Sequence, residues 1–79
     1  MKQRDFELLI STGTIESIVI FRPRGSTEGW AVVCETSRQI PYSEYLETAK
    51  GETRFFATID TAHGVIRKAG FEAMVTIDG

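Results

Sequence analysis

The sequence predicts an α+β domain, a small, mostly antiparallel sheet with two short helices packed on one face. Three observations carry this expectation. Two stretches repeat their apolar residues at helical spacing, and each runs into a glycine, Gly13 and Gly70. Runs of β-branched and aromatic residues lie at 14–21, 30–35, 54–57 and 71–77. A chain of 79 residues, 42% hydrophobic and 25% charged, holds one domain, residues 1–79, with no room for a second. Such a chain buries only about 60% of the surface its unfolded form exposes, so its core is thin.

Residues 2–11 read as the first helix, because Phe6, Leu9, Ile10 and Gly13 fall at i, i+3, i+4 and i+7. Gly13 suits its end, since glycine takes the left-handed conformation without a steric penalty. A helix this short must dock to persist. Residues 14–21 are the clearest strand, and the apolar succession Ile18, Val19, Ile20, Phe21 predicts cover on both of its faces. Pro23, Gly25, Ser26, Thr27 and Gly29 then predict a loop of about eight residues, and 30–35 completes a hairpin with Trp30, Val32 and Cys34 on one face.

Residues 37–51 admit two readings. Pro41 argues against a central strand. The segment is either an edge strand through 40–48, carrying Tyr45 or Leu46 inward, or a helical turn capped by Ser43; the edge strand is preferred. Gly51 marks a turn before the short strand 54–57. The second helix follows, with Ala62, Val65, Ile66 and Ala69 on one face, Thr58 or Asp60 as its cap, and Arg67 and Lys68 in its last turn. Gly64 in its middle costs about 1 kcal/mol against alanine, which points either to a close backbone approach or to a tolerated defect. Residues 71–77 close the chain as a strand with Phe71, Ala73, Val75 and Ile77 facing one way.

Composition excludes several functions. A net charge of −2 and a pI near 5.3 do not describe a polycation. No apolar run approaches the roughly 18 residues that span a bilayer, and charges at residues 2, 4, 5 and 7 break any signal-peptide core. A single cysteine makes no internal disulfide, so a reducing cytoplasm is the expected compartment.

Catalysis finds little to use. Cys34 lies mid-strand between Val33 and Glu35 and reads as a core thiol, and His63 sits on the second helix between Ala62 and Gly64. One histidine and one cysteine build no zinc shell, the acidic residues are scattered, and the glycines fit neither GxGxxG nor a P-loop. No catalytic, cofactor-binding or metal residues are expected, and a small enzyme of unknown class ranks third among the functions weighed.

Nucleic-acid binding rests on Arg22 and Arg24 in the hairpin loop, Lys50 and Arg54 about the second turn, and Arg67 and Lys68 at a helix end. Convergence of the three places would make a basic patch, whereas ordinary solvated charges are the plainer expectation. Tyr42, Tyr45 and Trp30 read either as stacking residues or, for the tryptophan, as the core's largest apolar piece. A third class is a protein-contact module. An edge strand through 40–48 would offer unpaired backbone to a partner or to a second copy in a homodimer.

The C-terminal half also resembles a family. An arginine-bearing turn runs into the pattern F-A-x-L-D-x-A-x-x-x-L-R-x-x-G, matched by Arg54, Phe56, Ala57, Ile59, Asp60, Ala62, Ile66, Arg67 and Gly70. This is similar to small ParC-type, plasmid partition-associated proteins over roughly 30 residues, and the front half is similar in layout alone. The resemblance implies a non-enzymatic accessory protein of plasmid maintenance, acting through contact with DNA or partition proteins, with no catalytic residue to carry over. The function expected is therefore that of an accessory protein working by protein contact, with weak DNA binding through the six basic residues as the alternative.

Overall fold

Local signals set the elements in the order expected. The computed structural model describes residues 1–24, 27, 29–36 and 43–78. Helix α1 (Gln3–Ser11) is followed by β1 (Ile15–Phe21), β2 (Trp30–Thr36), β3 (Ser43–Tyr45), β4 (Phe55–Phe56), α2 (Ile59–Lys68) and β5 (Val75–Asp78). The expected turn formers Gly25 and Ser26, the proline at 41, Tyr42 and the start of the expected edge strand lie outside the described residues.

Both helices end in the same way. Gly13, at φ +73°, donates its N–H to Ile10 O at 3.1 Å, and Thr14 donates to Leu9 O at 2.9 Å. Gly70, at φ +105°, donates to Arg67 O at 3.0 Å, and Phe71 donates to Ile66 O at 3.3 Å. These are two Schellman motifs, in which a left-handed glycine turns the chain so that orphaned carbonyls find donors. At the start of α2, Thr58 Oγ1 accepts the Thr61 N–H at 3.1 Å, so Thr58 is the cap and Asp60 sits in the first turn, where its charge favours the dipole.

The sheet runs β3-β2-β1-β5, with β4 also paired to β2. All pairs are antiparallel except β1 with β5, which the α2 crossover returns parallel. Ile18 and Ile20 of β1 pair with Cys34 and Val32 of β2, and these four are fully buried with Phe6, Leu46, Ala62 and Ile66. One core cluster thus joins both helices to one face of the sheet. The architecture is the expected α+β arrangement.

Three local expectations need correction. Val19 and Phe21 are half-buried, so β1 has helical cover on one side, because both helices serve the other face. The last strand begins at Val75 rather than at Phe71. Phe71 is spent on the helix end, and Arg67 Nη1 donates to the carbonyl oxygens of Phe71 and Ala73, 2.8 Å each, which holds residues 71–74 as a connection. Phe71 is buried while Ala73 is exposed, so the two share no face. Of the two readings of Gly64, the tolerated defect holds, since nothing stands near a Cβ there; the close backbone approach occurs at Gly29, where a Cβ would strike the Phe56 carbonyl oxygen.

Of the two readings of the fourth segment, a strand forms over Ser43–Tyr45 at the sheet's edge, and Leu46 turns inward while Tyr45 stays exposed. Its outer side is not open between Tyr45 and Glu47. The Met1 amino group donates to Tyr45 O at 2.7 Å and pairs with Glu47 at 3.1 Å, and Glu47 N donates to Met1 O at 2.6 Å. Among the described residues, the side of β5 away from β1 has no pairing strand.

Candidate interaction face

Alternation along the strands sends every second residue to the side away from α1 and α2. Register then assembles them into two rows across the sheet. Thr76, Val19, Val33 and Tyr45 form one, and Asp78, Phe21, Ala31 and Phe55 form the other. A third, polar row holds Ser17, whose hydroxyl donates to Glu35 Oε2 at 3.1 Å. Val19, Phe21, Val33, Glu35 and Tyr45 line a shallow cavity of about 450 Å³ on this face.

Packing on the face is partial. Val19, Phe21, Val33 and Phe55 are half-buried and Tyr45 is 45% exposed, whereas Ala31 is 1% exposed in register between the two phenylalanines. The small alanine flanked by two large rings gives the face relief. Among the described residues, the charged side chains that register places on it are Glu35 and Asp78, both acidic. The arginines nearest the strands lie on the opposite side. The Arg22 guanidinium sits 5.8 Å from the Trp30 ring centroid and that of Arg54 sits 4.7 Å from the Phe56 centroid, and both rings belong to the helix side.

The six basic residues expected to bind nucleic acid occupy separate places. Arg22 and Arg24 follow the end of β1. Arg67 and Lys68 lie at the opposite end of the molecule, because α2 starts beside the β2–β4 pairing and finishes at Gly70, close to Ile10 at the end of α1. Arg67 is engaged with two carbonyls. Lys50 is exposed in the turn after Thr48, and Arg54 donates to Gln3 Oε1 at 3.4 Å. What the fold does bring together is Lys2, Arg4 and Arg54, around a cavity that Gln3, Glu47, Thr48 and Ala49 also line. The 50-residue separation of Arg4 and Arg54 hides that grouping from the sequence.

Cys34 is fully buried, and that burial pushes its thiol up to about 12, with Glu44 adding to the rise and the Met1 ammonium opposing it. A thiol held protonated is no nucleophile at neutral pH. His63 is half-buried on α2. Among the described residues, no three His, Cys, Asp or Glu side chains gather as metal ligands, and no helix is long and apolar enough to cross a membrane. Trp30 packs against the core, whereas Tyr45 stands exposed on the open face beside the half-buried Phe21 and Phe55. The open face itself escaped the sequence reading, although Glu35 and Ser17 beside Val33 and Val19 carried the alternating signal of a half-covered sheet.

Compared with family models, curated proteins and solved structures, the chain matches none.

Proposed function

We propose that this chain is a non-enzymatic accessory protein that works by contact, and that the uncovered face of its sheet is the surface that docks another protein. One observation carries the reading: the two rows Val19–Val33–Tyr45 and Phe21–Ala31–Phe55 place contiguous apolar side chains where, among the described residues, no helix covers them. Contiguous apolar surface of this kind marks interaction sites, whereas scattered exposed residues such as Leu8 or Met74 carry no such meaning. The inert, buried Cys34 favours a non-enzymatic role and fits work in a reducing cytoplasm. The ParC-type resemblance of the C-terminal half suggests plasmid maintenance as the setting. DNA binding has less support, because the six basic residues do not converge.

The test is selection from a random peptide library displayed on phage, panned against the immobilised chain and against Val33→Asp. The reading expects peptide families that enrich on the parent and fail on the variant. Equal enrichment on both, or none on either, contradicts it.

A further inference from the structure

We propose that the partner element seated on the open face is a cationic amphipathic helix, with apolar residues on one side and Lys or Arg placed to meet Glu35 and Asp78. This rests on the docking reading above and adds the chemistry of the occupant.

Charge chooses between the possible occupants. Every charged side chain that register places on the described part of the face is acidic, Glu35 beside Val33 and Asp78 beside Phe21. The neighbouring arginines are drawn to the far side by the Trp30 and Phe56 rings. Nucleic acid would bring phosphates against two carboxylates, which Coulomb repulsion disfavours. A second copy packed face to face would bring four carboxylates to one interface, with no basic residue on either described face to meet them. A basic partner meets both carboxylates favourably and lays its apolar stripe on the two rows between them.

The dimensions agree with a helix. From β5 to β3 the face is four strands wide, which is roughly 14 Å at the usual strand spacing, slightly more than a helix diameter of about 10–12 Å. Glu35 and Asp78 are two strands and four residues apart, a diagonal of roughly 17 Å. That is the rise of about eleven helical residues, so cations about three turns apart reach both carboxylates while residues at i+3, i+4 and i+7 lie over Val19, Phe21 and Val33.

Three synthetic 18-residue peptides test this, each with leucine along one helical face and the other face made of lysine, glutamine or glutamate. Each is labelled and titrated with the full chain at about 50 mM and about 200 mM salt, read by fluorescence anisotropy. The leucine–lysine peptide is expected to bind at least tenfold more tightly than the leucine–glutamate one. Glu35→Gln combined with Asp78→Asn should erase most of that difference, and Val33→Thr should weaken the lysine peptide severalfold. Both sets of substitutions are near-isosteric at the surface, and an unchanged melting temperature confirms that each variant folds. Equal or tighter binding of the glutamine or glutamate peptide, lost in Val33→Thr, overturns the cationic partner and leaves the docking face standing. Lysine-peptide binding untouched by the acidic double variant also overturns it. Failure of all three peptides to bind overturns the cationic helix and the docking face together.

Discussion

At the scale of single residues, two buried groups have measurable consequences. Thr36 is 2% exposed, and its Oγ1 finds no partner among the described residues. A buried hydroxyl left unpaired costs about 1–3 kcal/mol, so Thr36→Val, which keeps the β-branched shape a strand prefers, should raise stability by about 1 kcal/mol in urea unfolding. Cys34 gives a pH signature. Burial raises its folded pKa from 9.0 to about 12, so the folded state holds a proton that the unfolded state releases. The stability linked to that proton is fully present below pH 9 and is lost as pH climbs from 9 towards 12. Urea midpoints measured between pH 9 and 11 should therefore fall more steeply in the parent than in Cys34→Ala.

At the scale of elements, two glycines are expected to behave oppositely. Gly64 lies mid-helix in α2 with open space around it, so Gly64→Ala should raise the melting temperature through a gain of about 1 kcal/mol. Gly29, at φ +113° and against the Phe56 carbonyl, has no room for a methyl group, and Gly29→Ala should lower the melting temperature by breaking the approach of β4 to β2. Paired thermal melts of the two variants settle both signs. The elements themselves were legible because their signals are local. Ala62, Val65 and Ile66 share a helical face, Gly13 and Gly70 mark the stops, and the β-branched run before Phe21 marks the strand. What stayed hidden was set by partners distant in sequence. Phe71 reads as strand but serves the α2 terminus, Arg67 reads as a free cation but ties down residues 71–74, and the edge of β3 at Tyr45–Glu47 is taken by Met1.

At the scale of the whole molecule, the described residues cover one face of the sheet with both helices and leave the other without one. Two helices of nine and ten residues supply enough apolar surface for Ile18, Ile20, Val32 and Cys34 on the near side. The far side keeps Val19, Phe21, Val33 and Tyr45 in an acidic frame, and this asymmetry is the basis of the proposed contact role. The 40–48 edge and the basic residues are the partner surfaces that the sequence suggests. The fold gives both a more modest part, because Met1 pairs along the stretch of that edge between Tyr45 and Glu47 and the basic residues are dispersed.

Amide NMR of the labelled chain, titrated with a peptide selected on it, tests the central claim most directly. The account predicts shifts concentrated at Val19, Phe21, Val33, Glu35, Tyr45 and Thr76, with α1 and α2 unmoved. Shifts concentrated instead around Arg22, Arg24 or the helices would contradict it, and would move the contact surface to the other side of the molecule.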